Sequence, residues 1–247
     1  MTSEIGEQGG GREAFPMTRW TLITRSQGET AAEATVAMEE LCQRYWYPIY
    51  AFIRRKGYDR EDAEDLAQGF FQRMLESDSF QRAEESRGRL RTFLLGSLEH
   101  FLIDDLRKQS AQKRGGGQTV VSIDEKNADG AYLREPQDGV DPAQLFEKSW
   151  ARELLARAIG KIREDYEKRG KEDVFDSLQE FIGWQEKDVA YREVALRLGV
   201  KEGALRVAIF RLRQRFRDSL NQEIAETVDS PEEVEGELNY LMQVVGA

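Results

Sequence analysis

The most regular pattern of apolar and polar positions along the chain runs from residue 191 to residue 218. A short first segment carries its apolar residues on one helical face, namely Val194, Ala195 and Leu198. Gly199 is predicted to end this helix, because glycine readily adopts the left-handed conformation found at helix C-termini. In the next segment the apolar residues recur at helical spacing; they are Leu205, Ile209, Leu212 and Phe216. The pattern predicts a helix, a tight turn and a second helix.

The other faces of the second helix are rich in arginine: Arg206, Arg211, Arg213, Arg215 and Arg217. An arginine-rich helix on its own is often only a solvated helix packed on a core. The preceding helix and turn favour instead a helix-turn-helix unit, whose second helix enters the major groove of DNA.

Upstream of this unit the periodicity predicts further helices. The segment from Leu41 to Arg55 is crowded with aromatic residues, and its Pro48 should kink or interrupt a helix unless a neighbour compensates for the lost hydrogen bond. Asp59 is a predicted N-cap for a helix from Asp62 to Leu75, which places apolar residues near one side and polar residues near another. A long helix with basic residues at both ends follows from Arg89 to Lys108.

Between residues 109 and 141 the periodic pattern is lost, and the glycines and scattered acids there are typical of a linker. Asp141 and Pro142 resemble an N-cap followed by proline at the first helical position. They open a helix that is predicted to end near Gly170. A further helix is predicted from about Asp173 to Trp184.

These elements predict an all-α fold with two helical domains joined by a flexible linker, the second domain being the helix-turn-helix. The predicted parts are a disordered tail at 1–16, a helical domain at 17–110, a linker at 111–141, a helix-turn-helix domain at 142–220 and an acidic C-terminal extension at 221–247. The extension contains one more predicted helix, which the capping sequence Ser230-Pro231-Glu232-Glu233 introduces.

Charge is distributed unevenly over the 247 residues, whose formal net charge is −10. A negative total would argue against nucleic-acid binding, since cations that neutralise phosphates supply most of the non-specific affinity. From residue 191 to residue 217, however, basic residues far outnumber acidic ones, and from residue 218 to the end there is no lysine or arginine. This segregation of charge indicates distinct binding faces.

Several classes of function lack their motifs. No run approaches the roughly 20 apolar residues that span a bilayer, and the first residues lack the layout of a signal peptide, so we expect a cytosolic protein without membrane insertion. The single cysteine, Cys42, excludes an intramolecular disulfide and is expected to be a buried, small apolar residue. No glycine-rich loop stands between a strand and a helix to bind a nucleotide. The lone His100 has no cysteine partner and only Asp104 and Asp105 one helical turn away, which does not favour a metal site. We therefore expect no metal, no cofactor and no enzymatic activity.

The order of these parts resembles that of bacterial RNA polymerase sigma factors of the extracytoplasmic-function class, from about Thr18 to Arg217. The resemblance rests on two motifs at the right separation, which are the sequence DAEDLAQGFFQRML of the helix at 62–75 and the helix-turn-helix. It implies that the first of these helices docks on the clamp helices of core RNA polymerase. The residues implied in that contact are Asp62, Asp65, Gln68 and Gln72.

The resemblance also implies two contacts with promoter DNA. The helix from residue 89 to residue 108, with the segment just before it, would open and read the minus-ten element, through Arg87, Arg89, Arg91, His100, Arg107 and Lys108. The second helix of the helix-turn-helix would read the minus-thirty-five element, with Lys201, Glu202 and Arg206 at base edges and Arg211 and Arg213 on phosphates. The linker would thread toward the catalytic cleft of the polymerase.

Two other functions fit parts of the pattern. A free-standing helix-turn-helix regulator would bind operator DNA alone, but it has no need of the first helical domain. A sigma-like interaction protein would keep the shape without promoter activity, as Glu99, Asp105 and Ala208 suggest, since relatives are commonly basic there. An anti-sigma factor or another regulator is a further expected partner. For the acidic extension there are two hypotheses: it folds back on the arginine-rich helix and competes with DNA, or it merely caps the domain.

Overall fold

The computed structural model describes residues 31–76, 89–111, 132, 139–183, 191–228 and 230–246. Within these ranges the chain folds into α-helices and contains no strand, which confirms the predicted all-α class. The helices are α1 (Ala31–Arg55), α2 (Arg60–Glu76), α3 (Leu90–Ala111), α4 (Pro142–Lys168), α5 (Glu172–Leu178), α6 (Tyr191–Arg197), α7 (Glu202–Ala225) and α8 (Pro231–Gly246). A short 3₁₀ helix, Gln179–Phe181, follows α5.

The first helix, α1, is one helix that runs through Pro48. Its aromatic side chains are buried in the core at Tyr45, Trp46, Tyr50 and Phe52. Pro48 is itself buried, and the helix continues past it although proline cannot donate a backbone hydrogen bond. The interruption that Pro48 suggested is therefore absent from α1.

The start of α2 shows the predicted cap. The Asp62 N–H donates a 2.9 Å hydrogen bond to Asp59 Oδ1, which satisfies one of the unpaired donors in the first turn of the helix. One face of α2 packs against α1 and is buried at Ala63, Leu66 and Phe70. Its polar face therefore points away from the core.

The long helix α4 lies at the centre of the packing, because it contacts α1, α7 and α8. Asp141 and Pro142 occupy the predicted N-cap and first helical positions, although the Asp141 side chain makes no capping hydrogen bond. At the other end Gly170 has a φ of 64°, and the Lys171 N–H donates a 2.9 Å hydrogen bond to the Tyr166 carbonyl. This geometry ends a helix at glycine, as predicted.

The buried apolar residues of α1, α4 and α7 belong to one continuous core that reaches Leu241 in α8. The helix α4, which the sequence places in the second domain, thus packs on α1 of the first. The predicted boundary at residue 220 falls inside α7, which continues to Ala225. The predicted tail and residues 112–131 and 133–138 of the predicted linker lie outside the described residues, and the division into two domains stays a prediction.

The helices α6 and α7 form the predicted helix-turn-helix. Gly199 has a φ of 65°, and the Val200 N–H donates a 2.9 Å hydrogen bond to the Ala195 carbonyl. The apolar stripe of α7 is buried as predicted, at Leu205, Ile209, Leu212 and Phe216. The Phe181 ring stacks on the Tyr191 ring at 5.3 Å between centroids, which ties the start of α6 to the 3₁₀ helix.

Candidate nucleic-acid and protein interfaces

The polar face of α2 presents carboxylate and amide groups. Asp62, Asp65 and Gln72 are exposed, and Gln68 is half-buried. Their spacing of three or four residues places all four on the same side of the helix, away from the side that packs on α1. A partner with cations on a helical surface is electrostatically complementary to this face.

The cations of α3 lie at its two ends, and the C-terminal end is open. Arg107 and Lys108 are exposed there, and Arg107 Nη1 lies 3.9 Å from Asp104 Oδ1. His100 is exposed near the middle of the helix. Asp104, on the same part of α3, accepts a 2.9 Å hydrogen bond from Arg73 of α2, and this bond lowers the pKa of the Asp104 carboxyl. The Arg73 contact therefore joins α3 to α2 and leaves the cations beyond it accessible.

At the N-terminal end of α3, Arg89 and Arg91 share one carboxylate, that of Glu237 in α8. Arg91 Nε lies 2.7 Å from Glu237 Oε1, and Arg89 Nε lies 2.8 Å from Glu237 Oε2. Arg91 Nη1 also lies 2.9 Å from an oxygen of Glu147 in α4. Arg91 is 4% exposed and Glu237 is 1% exposed. The third predicted cation at this end, Arg87, lies outside the described residues.

The partners of Arg91 stabilise the charged form of its guanidinium. Burial lowers the pKa of this guanidinium, but the hydrogen bond from Arg91 to Glu237 and the nearby Glu147 carboxylate raise the pKa further than burial lowers it. The guanidinium also lies 4.0 Å from the centroid of the Tyr240 ring and 5.0 Å from that of the Trp150 ring. Arg91 is thus enclosed by carboxylates and aromatic faces from α4 and α8.

At the N-terminal end of α7, Lys201 is exposed, whereas Glu202 and Arg206 are paired with each other. Glu202 Oε1 accepts hydrogen bonds from Arg206 Nη2 at 2.7 Å and from Arg206 Nε at 3.1 Å. The Arg206 guanidinium also lies 4.5 Å from the centroid of the Tyr191 ring. Two of the three residues that are predicted to contact base edges, Glu202 and Arg206, therefore form an ion pair with each other on the protein surface.

Further along α7, Arg211 and Arg213 are both exposed. Arg213 Nε donates a 2.9 Å hydrogen bond to the Phe181 carbonyl, which anchors the side chain at the 3₁₀ helix. The predicted residues thus lie on three helices, α2, α3 and α7. The structure pairs Arg206 with Glu202 and joins Arg89 to Arg91 through one carboxylate.

Two buried glutamates form ion pairs whose partners cannot be predicted from helical periodicity alone. Glu223 in α7 is 0% exposed and is surrounded by cations of α1 and α4. Its Oε2 lies 3.0 Å from Arg157 Nε and 3.5 Å from Arg44 Nη1, and its Oε1 forms an ion pair with Lys161. Burial raises the pKa of Glu223, but these three cations lower it more, so the pKa lies below its usual value.

The second buried glutamate, Glu237, lies on the same stripe of α8 as Val234 and Leu241. Glu223 likewise continues the stripe of α7, three residues beyond the buried Leu220. An acid at an apolar position of an amphipathic helix is a signal for a buried ion pair, because ionised residues are rarely buried without a partner. This signal was available in the sequence.

Cys42 is half-buried against the core, and burial raises the pKa of its thiol to about 11. The thiol is thus held in its neutral, unreactive form at neutral pH. Of the helices that the structure describes, none is long and apolar enough to cross a membrane. The same ranges contain no group of three histidine, cysteine or acidic side chains that could hold a metal ion.

A helix-turn-helix with an arginine-rich second helix is typical of DNA-binding proteins. A family model described as ECF sigma factor matches residues 52–222. The match begins within α1 and ends within α7, so it includes every helix from α2 to α6. The chain therefore belongs to the ECF sigma factor family, a non-enzymatic class that acts in transcription initiation. No curated protein and no solved structure matches the chain.

Proposed function

We propose that this chain is a promoter-specificity subunit that binds core RNA polymerase and directs it to promoter DNA. The observation that carries the proposal is the family match, because it spans the acid-faced α2 and the arginine-rich α7 in one chain. A protein that contacts a polymerase with one helix and a promoter with another requires both elements.

The polymerase contact is assigned to the polar face of α2. The apolar face of this helix is already packed against α1, which leaves the side with Asp62, Asp65, Gln68 and Gln72 for a partner. Exposed carboxylates on that side would meet cations of the polymerase clamp helices. Charge complementarity of this kind contributes more to specificity and association rate than to affinity.

The duplex contact is assigned to the N-terminal end of α7, where Lys201, Glu202 and Arg206 are exposed. Arginine recognises guanine through two hydrogen bonds, and a glutamate accepts a hydrogen bond from the cytosine amino group. The pair between Glu202 and Arg206 is solvent-exposed, so it contributes little and opposes this rearrangement only weakly. Arg211 and Arg213, further along the helix, would hold phosphates.

The contact with the opened strand is assigned to α3. Arg107 and Lys108 are accessible near its C-terminal end, and cations of this kind follow the backbone of a single strand. His100 is exposed in the middle of the helix, where it would contact an unstacked base. Arg89 and Arg91, at the other end, would join them only after separation from Glu237. An anti-sigma factor or another regulator of these contacts stays a prediction from the resemblance.

The proposal is tested by mixing the purified chain with core RNA polymerase and measuring co-elution and promoter-directed transcription. An Asp65→Arg variant should lose co-elution, because it places a cation where the clamp helices also present cations. Glu167→Arg in α4 is the matched control, since Glu167 is likewise exposed but lies on a different helix, and it should co-elute like the unmodified chain.

The same experiment separates the other functions. A free-standing regulator would ignore the polymerase and bind an operator duplex alone. A sigma-like interaction protein would co-elute with the polymerase but support no transcription from any promoter. Absence of co-elution at low salt would refute the proposal.

A further inference from the structure

We propose that α8 is an intramolecular latch, whose Glu237 carboxylate occupies the phosphate-binding arginines at the start of α3 until a nucleic-acid strand displaces it. The inference rests on the proposed function of α3 as a strand-binding helix. It differs from competition at the arginine-rich helix α7, because the ion pairs of α8 reach α3 instead.

The carboxylate of Glu237 binds in the way that a phosphate would. Arg91 donates to both oxygens, from Nε to Oε1 at 2.7 Å and from Nη2 to Oε2 at 3.2 Å, and Arg89 Nε lies 2.8 Å from Oε2. Arginine binds carboxylates and phosphates with the same planar donor geometry. A phosphodiester that approached these two arginines would therefore compete directly with Glu237 for the same donors.

The rest of α8 packs over Arg91 and alongside Arg89. The Tyr240 ring covers Arg91 at 4.0 Å from its centroid and also faces Arg89 at 5.8 Å. A side chain at Gly236 would meet an Arg89 nitrogen at 3.7 Å, so the backbone of α8 runs close to that arginine. Leu241 is 0% exposed, and its burial fixes α8 against the core.

The segment before α8 adds a contact with the N-terminus of α3. The Leu90 N–H, which has no partner within its own helix, donates a 3.4 Å hydrogen bond to the Thr227 carbonyl. The N-terminus of a helix attracts anions through its free N–H groups and its dipole. The C-terminal segment thus covers both the arginines and the helix end that would attract a strand.

A strand has a route by which to open the latch. The Arg89 side chain is 38% exposed, so a phosphate can reach it before α8 moves. Arg91 keeps its contact with Glu147 of α4 at 2.9 Å, so it is not left without a counter-charge when Glu237 departs. The exchange replaces one anion with another, and it favours the strand only when other contacts hold that strand in place, as a polymerase would do.

The first test measures binding of a fluorescent single-stranded oligonucleotide to the full chain without polymerase. Glu237→Gln removes the charge that competes for the arginines, so affinity should rise about tenfold, within the range of couplings between linked sites. The dependence on salt should steepen by about one unit in the log-log slope, because up to two more phosphates are neutralised. Glu235→Gln is the matched control, since Glu235 is an exposed carboxylate of the same helix, and its affinity should not change.

The second test uses the unmodified chain, so it does not depend on the stability of a variant. Amide hydrogen exchange in residues 231–246 should accelerate when the chain is bound to core polymerase and promoter DNA. If Glu237→Gln and Glu235→Gln bind the oligonucleotide equally and exchange in α8 is unchanged, while the chain still directs transcription, the latch is refuted and the sigma function stands. If Glu237→Gln binds more tightly but the chain ignores the polymerase, the latch stands and the sigma function fails.

Discussion

At the scale of single residues, charge inside the core distinguishes this chain from a simple amphipathic bundle. Glu223 and Glu237 are almost completely buried, at 0% and 1% exposure, and each is bound by cations of other helices. A buried charge is tolerated only when it is paired and hydrogen-bonded. Loss of one partner is therefore far more destabilising than loss of a surface pair.

Replacement of Glu223 by alanine should lower the free energy of unfolding by about 3 kcal/mol, because Arg44, Arg157 and Lys161 lose their common counter-charge. The value lies at the lower end of the range for buried pairs, since the Lys161 side chain is 47% exposed and can be rehydrated. Glu164→Ala breaks an exposed pair with Lys168 and should change the free energy by no more than about 0.5 kcal/mol. Urea titration of both variants compares the two, and equal losses would contradict the buried role of Glu223.

Stability should also depend on pH through Glu223. Its pKa in the folded chain lies below the ordinary value of 4.5, so folding favours the ionised form, and the stabilisation is present above the unfolded-state pKa. It is lost as pH falls through the lower, folded-state pKa. The difference in the free energy of unfolding between the unmodified chain and Glu223→Gln should thus be largest at neutral pH and shrink in acid. A difference that is independent of pH would contradict this linkage.

At the scale of elements, the start of α2 and the end of α6 were predictable from the residues next to them. Asp59 caps α2 and Gly199 ends α6 as predicted, because both effects depend only on residues within one turn. The end of α7 was harder to predict. The acids after Asp218 indicated that the domain ends at residue 220 and an acidic extension follows, whereas Glu223 is buried among cations of other helices and the helix continues to Ala225.

Two glycines that flank the turn of the helix-turn-helix should respond to alanine in opposite directions. Gly199 has a φ of 65°, and alanine there should destabilise the chain by about 1–2 kcal/mol, because a Cβ disfavours the left-handed conformation. Gly203 lies in the first turn of α7 with no atom within 4 Å of an added Cβ, so alanine there should stabilise by about 0.5–1 kcal/mol. Thermal unfolding of both variants gives the signs, and a loss of stability at Gly203 would contradict its open surroundings.

At the scale of the whole molecule, α4 links the parts that the sequence separates. Its buried residues, among them Trp150 and Leu154, belong to the same core as those of α1 and α7. A helix that serves two groups of neighbours couples their stability. Contacts of α1 with α4 and of α7 with α4 cannot be lost one after the other without exposing apolar surface.

Unfolding by urea should accordingly proceed in one cooperative transition. Tryptophan fluorescence, to which Trp46 of α1 and Trp150 of α4 contribute, should change at the same urea concentration as far-UV circular dichroism. Two independent domains, as the sequence predicts, would unfold in two transitions. Separate midpoints for the two measurements would therefore favour the division at residues 111–141.

Local sequence was sufficient for the helical class, the helix-turn-helix and the outward face of α2. Each of these follows from spacing and caps within about ten residues, where the 3.6-residue period dictates which side chains share a face. The family match from residue 52 to residue 222 agrees with this order of helices.

Only the tertiary structure determines which groups the Arg91 side chain contacts. By position it resembles a phosphate-binding residue, yet its partners Glu147 and Glu237 lie 56 and 146 residues away in the chain. No periodicity relates residues at such separations, since only the packing of α3 against α4 and α8 brings their charges together. From the sequence alone, a charged residue is predicted to be solvent-exposed. Whether it faces solvent, DNA or a buried carboxylate depends on which helix packs over it in the tertiary structure.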